Sequence, residues 1–305
     1  MLKRVMIVLL FITVSFTLGT TWIAMKIIVS TIPPIFATGM RFLLVSPLLI
    51  GLSVFNKAPF LFPKEQRWFQ LVITLFYFSI PFSLMLYGGI YVNAGLAALI
   101  FSIMPVMVLV MSMIFLKETV KDVQIIGLFI SILSFFAVLF YEILYGKKDS
   151  IYGIIAIILS LISHSIVYVQ CKKNYNNLSV LTFNTIPSLL TGILLTSISL
   201  FYEKPIIYNF SYSSILALWY LSNFSGFFGV LSYFYLQKQV SSFFSSIIFV
   251  IFPIIALIIE YYMYNVLFAT QELYSIITLM LGIVLVFIPR NIIRNRRINF
   301  IYNDK

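Results

Sequence analysis

The sequence predicts an all-α membrane protein of ten transmembrane helices, arranged as two inverted repeats of five helices each. Three observations lead to this fold class. Hydrophobic residues make up 62% of the 305-residue chain and charged residues only 10%, whereas a soluble domain carries about 25% charged residues. Ten apolar segments are each long enough to cross the bilayer core, which needs about 20 residues. The chain also repeats itself weakly, because a shift of 148 residues along the sequence places Pro105 on Pro253.

The apolar content excludes a water-soluble fold of this length, because surface-to-volume scaling leaves too little interior to bury it. A bilayer removes this problem by replacing water as the solvent. The single cysteine, Cys171, excludes an internal disulfide. The single histidine, His164, leaves no cluster of histidines for a zinc site. We therefore expect no metal and no cofactor.

Short polar or proline-bearing stretches separate the ten predicted spans and leave no room for a soluble domain. We place the spans at residues 5–28, 34–55, 68–89, 93–115, 122–141, 151–170, 178–201, 213–236, 241–264 and 272–289. The N-terminus resembles a signal peptide, but no small-x-small cleavage site interrupts its apolar run. We expect an uncleaved first helix, a first repeat at 1–145, a second repeat at 150–290 and a basic cytoplasmic tail at 291–305.

Lysine and arginine in the short loops predict the orientation, because cytoplasmic loops carry an excess of these residues. With the N-terminus inside, fifteen fall on the cytoplasmic side: Lys3, Arg4, Lys57, Lys64, Arg67, Lys117, Lys121, Lys172, Lys173, Lys238, Arg290, Arg294, Arg296, Arg297 and Lys305. Four fall outside: Lys26, Lys147, Lys148 and Lys204. Both termini should be cytoplasmic, in an inner membrane. The net charge of +11 is then a topology signal, and no nucleic-acid surface is needed to explain it.

The weak repeat predicts the relation between the two halves. The same shift that places Pro105 on Pro253 also places Tyr87 on Tyr235. Each half then contains five spans, and an odd number inverts the second half relative to the first. Inverted halves are typical of secondary transporters, in which substrate sites lie at the repeat interface near the bilayer midplane.

Several short motifs resemble those of one family in their order along the chain. In the first half they are Gly19–Lys26, Pro33-Pro34, Arg41-Phe42, Tyr87, Ala94, Ala97-Ala98, Pro105, Glu118 and Gly127. In the second half they are Gly153, Lys172-Lys173, Tyr235, Pro253 and Gly282. In this order they resemble the drug/metabolite transporter superfamily in its EamA-type ten-helix form. The chain departs from the family pattern at Leu18, at His164 and at Asn265-Val266.

The resemblance implies a central substrate cavity between the two halves. We expect its walls to include Trp22, Arg41, Tyr87, Ser102, His164, Tyr235 and Phe249. Pro105 and Pro253 lie near the middle of the fourth and ninth spans, where a proline removes a backbone hydrogen bond and bends a helix. We interpret them as kinks that shape the cavity, although prolines are also common in ordinary membrane helices.

Four polar residues inside the apolar spans have a functional and a structural interpretation to weigh. Arg41 either contacts a carboxylate on the substrate or reaches headgroups and loop carbonyls, and for Lys26 we favour snorkelling. His164 either takes part in proton coupling or packs in the bundle interior, and we favour a place in the cavity wall because the family pattern has a cavity-lining aromatic there. Glu260 either carries a coupling proton or binds an amine, or else lies near the outer interface bonded to Tyr261 or a neighbour.

The predicted function is secondary transport of small organic metabolites such as amino acids or related compounds, with export as the direction. The expected partners are the substrate and membrane lipids. No P-loop is present to bind a nucleotide. The alternative is a membrane-embedded enzyme, for which Ser225 and His164 form a conceivable pair. A lipid scramblase or a sensor on a transporter-like fold is a further alternative.

Overall fold

The computed structural model describes residues 2–174, 179–240, 242–266 and 269–288. The expected basic tail at 291–305 lies outside these residues. Within them the chain is helical with no β-strand. In this described part of the chain, ten helices are long and apolar enough to cross a membrane, and we call them α1 to α10. Their bounds are Val5–Ile28, Pro34–Phe55, Lys64–Tyr91, Ala94–Leu116, Asp122–Tyr145, Ser150–Lys173, Val180–Tyr202, Tyr212–Leu236, Phe244–Tyr264 and Thr270–Phe287.

These ten helices confirm the ten predicted spans, and every bound agrees to within four residues. Short connections make successive helices run in opposite directions, so each helix end lies at one of two faces. We call the face where α1 ends the Ile28 face, and the face where α2 ends the Phe55 face. The Ile28 face also holds the start of α4, and the Phe55 face holds the start of α3.

The helices α2 and α7 occupy equivalent places in the two halves and pack tightly against each other. Gly39 meets the backbone of Thr196, and a Cβ atom on Gly39 would lie 2.6 Å from the Thr196 nitrogen. Toward the other end, the hydroxyls of Ser53 and Thr185 are hydrogen-bonded at 2.7 Å. The start of α2 therefore lies beside the end of α7, and the two helices run antiparallel. Small residues at the contact allow this close approach of the backbones.

The helices α5 and α10 form a second equivalent pair. Ser134 donates a hydrogen bond to Thr278 at 2.8 Å, and the Gln124 side chain donates to the carbonyl of Val286 at 2.9 Å. Gln124 lies at the start of α5 and Val286 at the end of α10, so this pair is also antiparallel. Antiparallel packing of equivalent helices is what two inverted halves produce, and it supports that prediction.

Four of the helices depart from regular α-helical winding. Thr74–Ser79 in α3 and Tyr220–Gly229 in α8 are π-helical. The two segments occupy equivalent places in the two halves, because the shift that joins Pro105 to Pro253 places Thr74 inside the second segment. The winding of α4 is interrupted at Ile103, and that of α9 at Ile247. Single π-helical turns inside membrane or soluble helices are frequent at functional sites.

Candidate functional site

A cavity of about 90 Å³ lies among α2, α3, α7 and α8, two helices from each half. Both π-helical segments contribute to its wall. Its lining residues are Arg41, Phe42, Val45, Leu49, Tyr77, Phe78, Phe82, Phe183, Asn184, Ser188, Ser222, Gly226, Phe227, Val230, Leu231 and Phe234. One end of the cavity lies toward the Phe55 face, because its lining residues Leu49, Asn184 and Phe234 are near the helix ends at that face. Arg41 lies about 10 Å along α2 from the Ile28 face.

Aromatic rings form most of the wall on the α3 side. The Phe42 ring meets Phe78 and Phe82 edge-on, with centroids 5.5 and 5.2 Å apart. Tyr77 meets Phe183 of α7 in the same way at 5.2 Å. Edge-to-face pairs at these distances are favourable beyond the area they bury, so the rings hold each other in a defined arrangement around the cavity.

Arg41 is the one charged residue among the described residues that line this cavity. Its side chain is only 6% exposed. The Cζ atom lies 4.6 Å from the centre of the Phe82 ring and 5.6 Å from that of Phe42, which is within the range of a cation–π contact. The Nη1 atom is buried and has no hydrogen-bond partner among the described residues. Within the described residues, the buried Arg41 cation therefore has no ion pair with a carboxylate.

His164 lies behind the cavity wall, in a cage of three aromatic rings. Its ring centre is 4.7 Å from that of Tyr77, 5.1 Å from Phe82 and 5.8 Å from Phe101. Its Nδ1 atom is buried without a hydrogen-bond partner in the described residues. Phe101 in turn lies 5.4 Å from the ring of Trp22. A chain of ring contacts thus connects Trp22 and His164 to Phe82, which contacts Arg41.

Hydrogen bonds join the cavity helices to their neighbours at the Ile28 face. The Glu203 carboxylate, at the end of α7, accepts from the backbone N–H groups of Ile35 and Phe36 at 2.9 and 2.8 Å. The Thr31 hydroxyl, between α1 and α2, donates to Ser214 of α8 at 2.8 Å. These contacts hold the starts of α2 and α8 together on the side of the cavity nearer to Arg41.

A second cavity, of about 400 Å³, lies at the Ile28 face between α4, α5, α9 and α10. Its lining residues are Tyr91, Asn93, Leu96, Tyr141, Glu142, Tyr145, Gly146, Lys147, Glu260, Val266, Ala269 and Glu272. Its charged lining residues are the three carboxylates and Lys147, whereas the charged lining residue of the first cavity is Arg41. The two cavities therefore differ in the kind of charged group they offer.

Glu260 has backbone partners that the sequence did not suggest. The residue is 2% exposed, and its carboxylate accepts from the N–H groups of Ala94 and Gly95 at 2.7 and 2.8 Å. These are the first residues of α4, where unpaired N–H groups and the helix dipole attract a negative charge. Of the two alternatives, the carboxylate lies at the Ile28 face and bonds to backbone groups rather than to Tyr261, because α9 packs against the start of α4.

Lys26 is also engaged with a helix end. Its Nζ atom donates to the carbonyls of Gly89, Ile90 and Val92 at 2.8, 3.3 and 2.9 Å. These carbonyls lie at the end of α3, where helices leave carbonyl groups unpaired. The Lys26 side chain thus reaches the Ile28 face, where it caps the end of α3 beside the start of α4.

The other predicted cavity residues are not among those that line the first cavity. Ser102 is buried and donates to the carbonyl of Leu99 on its own helix at 2.7 Å. Tyr87 and Tyr235 are 38% and 45% exposed, and Phe249 packs against the Phe252 ring at 5.9 Å.

The two predicted kink prolines lie at different distances after the interruptions of their helices. Pro105 is the second residue of the helical segment Met104–Leu116. Pro253 lies inside Ile248–Tyr264, six residues after the interruption at Ile247. Neither proline lines the first cavity.

Sequence reasoning missed most of the cavity wall. The aromatic residues of α3, α7 and α8 have no pattern that separates them from the many rings expected to face lipid. Pro81 lies just after the first π-helical segment and Gly226 lies within the second, but neither residue indicates that Tyr77 or Phe227 lines the cavity. One signal was available, since Phe42 directly follows Arg41 in the motif that carried the resemblance.

Comparison with known proteins gives consistent matches along the chain. The EamA-like transporter family model matches twice, over residues 5–140 and 151–288. An uncharacterized transporter of Buchnera aphidicola subsp. Schizaphis graminum is 52% identical, over 96% of this chain and 98% of that protein. Protein PagO of Salmonella typhimurium is 47% identical, over 95% and 96%. A solved crystal structure shares the fold, with a TM-score of 0.65 at 12% identity over 91% of this chain and 94% of its own. The chain belongs to the EamA-like transporter family and is a multi-pass membrane protein.

Proposed function

We propose that this protein is a secondary transporter that exports small organic metabolites, such as amino acids or related compounds, by alternating access. The observation that carries the proposal is the position of the cavity around Arg41. It is formed by α2 and α3 of one half and by α7 and α8 of the other, which are equivalent helices. Transporters built from inverted repeats bind their substrates at such an interface.

The two halves, residues 1–145 and 150–290, are proposed to be inverted repeats that rock against each other. The antiparallel pairs α2/α7 and α5/α10 support this, because an inversion axis in the membrane plane makes equivalent helices run in opposite directions. Exchanging the conformations of the two halves would then exchange the side on which the cavity is open. Pro105 and Pro253 are proposed to allow the bending of α4 and α9 during this exchange.

The conformation described here is proposed to be closed to the outside and open toward the cytoplasm. The Ile28 face would be the outer face and the Phe55 face the cytoplasmic one, in an inner membrane with both termini inside. The hydrogen bonds of Glu203 and Thr31 tie the helices at the Ile28 face. The cavity instead extends toward the Phe55 face, so a cytoplasmic substrate would reach Arg41 from its own side.

The enzyme alternative finds little support in the geometry. The Ser225 hydroxyl is hydrogen-bonded to that of Thr21, and His164 is enclosed by aromatic rings. No hydrogen bond joins Ser225 to His164 within the described residues, as a serine nucleophile and its base require. We therefore propose that binding and gating, without a chemical step, carry the function.

Export can be tested with purified protein in liposomes. Proteoliposomes loaded with a mixture of the twenty radiolabelled amino acids should release label several-fold faster than protein-free liposomes. Chromatography of the released label would show which compounds crossed. The matched control is Gly39→Leu, which forces a side chain into the backbone of Thr196 and should block rocking of α2 against α7. Equal release from all three preparations would refute transport of these compounds.

Alternating access can be tested with a single cysteine in the cavity. The native Cys171 is replaced by serine, and Ser188→Cys then places a thiol on the cavity wall. A membrane-impermeant thiol reagent should label it from the cytoplasmic side, and more slowly from the outer side as the halves exchange. Lys57→Cys and Lys147→Cys serve as controls that should be labelled from one side only, inside and outside respectively. Labelling of Lys57→Cys and Lys147→Cys from the same side would refute the topology.

His164 and Glu260 are proposed as the carriers of a coupling proton, if transport depends on a pH gradient. Replacing both by glutamine should then abolish the dependence of amino acid efflux on the pH gradient, while efflux down a concentration gradient persists. Folding of the variant is checked by monodisperse elution in detergent. A double variant that still responds to the pH gradient would show that these two residues carry no coupling proton.

A further inference from the structure

We infer that the cavity around Arg41 selects an organic anion by its carboxylate, and that it has no subsite for an ammonium group. This deepens the proposed function, since it assumes that this cavity is the substrate site. The inference predicts that a carboxylic acid binds better than the amino acid with the same carbon skeleton.

The first argument concerns the missing counter-ion of Arg41. A buried charge is costly unless it is paired or hydrogen-bonded, and arginine within a membrane span usually faces a partner or a water-filled cavity. Here Nη1 is buried and unpartnered, and no carboxylate occurs among the described residues that line the cavity. An anionic ligand would supply the partner that Nη1 lacks within the described residues.

The second argument concerns the shape of the guanidinium group and its support. Phe82 and Phe42 lie near the Cζ atom at 4.6 and 5.6 Å, so they hold the group in place without taking its N–H donors. Arginine presents these donors as a planar fork that matches two oxygens of one carboxylate. A bidentate carboxylate is the ligand group that fits this fork.

The third argument excludes a site for an ammonium group. An ammonium carries three donors and no acceptor, and next to Arg41 it would meet a like charge in a medium of low dielectric constant. The face of Phe82, which could attract a cation, already holds the guanidinium. The carboxylates Glu142, Glu260 and Glu272 line the other cavity, at the Ile28 face. A zwitterion would therefore gain its carboxylate contact and leave its ammonium unpaired.

The volume limits the rest of the ligand. An apolar cavity of about 150 Å³ holds benzene, and this one measures about 90 Å³. The wall beyond Arg41 is mostly aromatic and aliphatic. The cavity thus fits an apolar body of about four carbon atoms, by proportion with the benzene cavity.

Three compounds of one carbon skeleton test the inference. Butyrate is an anion, 2-aminobutyrate a zwitterion and butylamine a cation at neutral pH. Isothermal titration of the purified full-length protein in detergent measures binding without the complication of acid permeating a membrane. We expect butyrate to bind at least tenfold more tightly than 2-aminobutyrate, and butylamine not to bind. Equal or tighter binding of 2-aminobutyrate would overturn the exclusion of the ammonium group.

Variants of arginine test the role of the fork. Arg41→Gln should weaken butyrate binding at least tenfold, and Arg41→Lys, which keeps the charge without the fork, should weaken it less. Arg67→Gln removes an exposed arginine and should leave binding unchanged. Each variant is compared only if it elutes as a monodisperse species. Arg41→Lys remains the decisive variant if Arg41→Gln does not fold, and unchanged butyrate binding in either one overturns the assignment.

Failure of this inference is distinguishable from failure of the proposed function. If proteoliposomes release amino acids but butyrate binds no more tightly than 2-aminobutyrate, the transport proposal stands and the preference for an anion is refuted. If butyrate binding depends on Arg41 but no amino acid is released, the assignment of the binding site stands and amino acids are refuted as its substrates.

Discussion

Glu260 and Arg41 are both charged side chains buried within membrane-spanning helices, and they differ in what surrounds the charge. The Glu260 carboxylate accepts two backbone N–H groups from the start of α4, so each of its oxygens has a partner. The Arg41 guanidinium contacts two aromatic rings, and its Nη1 atom has no hydrogen-bond partner in the described part of the chain. The described part of the chain supplies a hydrogen-bond partner for each carboxylate oxygen of Glu260 but none for Nη1 of Arg41.

This difference separates a structural role from a binding role. A buried charge whose hydrogen bonds are satisfied within the fold stabilises the elements it joins, here α9 and the start of α4. A buried charge left without a partner destabilises the empty protein and gains from a ligand. Position in the sequence does not separate the two cases, since each residue lies within an apolar run of a predicted span. The hydrogen-bond partners do.

Removing the Glu260 cap should have the largest effect on stability. Glu260→Ala leaves two buried N–H groups unpaired, and each such group costs about 1–3 kcal/mol. We expect the free energy of unfolding, measured by SDS titration in mixed micelles, to fall by about 2–4 kcal/mol. Glu260→Gln keeps one acceptor, so its free energy of unfolding should lie between those of Glu260→Ala and the native protein. Glu65→Ala, an exposed control, should change stability by less than about 0.5 kcal/mol.

The outcome that contradicts this assignment is specific. If Glu260→Ala unfolds at the same SDS fraction as Glu65→Ala, the cap at Ala94 and Gly95 contributes nothing. Glu260 would then be free to act in proton coupling alone.

Removing the Arg41 charge should raise the free energy of unfolding, whereas removing the Glu260 cap should lower it. Arg41→Met replaces an unpaired buried cation by an apolar side chain of similar length, and such replacements are often neutral or stabilising. We expect the ligand-free protein to gain about 1 kcal/mol in the same SDS titration. Arg67→Met is the matched control at an exposed site. A loss of stability comparable to that of Glu260→Ala would show that Arg41 is a structural residue, and the comparison between the two charges would fail.

The spans and the candidate cation were predictable from the sequence for a physical reason. A bilayer sets one length for every crossing helix, so apolar runs of about 20 residues identify them. A charged residue inside such a run stands out by its cost, which is why Arg41 and Glu260 were both singled out.

The cavity wall was not predictable in the same way. The chain contains 31 phenylalanines, and one that faces lipid has the same local sequence as one that faces the cavity. Phe82 and Phe183 were therefore indistinguishable from the rest. The same limit applies to helix caps, since the partners of Glu260 lie 166 and 165 residues away and are backbone groups. A backbone N–H carries no sequence signal.

Lys26 binds the turn between α3 and α4, whose other side is capped by Glu260. Its Nζ atom caps carbonyls at the end of α3, and Glu260 caps the N–H groups at the start of α4, only a few residues further along the chain. A cation at the C-terminal end of a helix and an anion at the N-terminal end each complement the helix dipole. Both side chains therefore fix the turn between α3 and α4.

Because they hold one turn, the effects of removing them should not be additive. Lys26→Met alone should cost about 1 kcal/mol, since Lys26 is only half-buried and water can replace part of its contacts. Once Glu260→Ala has released the start of α4, the end of α3 is less constrained, and Lys26→Met should cost less. We expect a coupling of about 0.5–1 kcal/mol from a double-mutant cycle of the two substitutions. Strictly additive losses would show that each residue caps its own helix independently, so that the turn is not held as a unit.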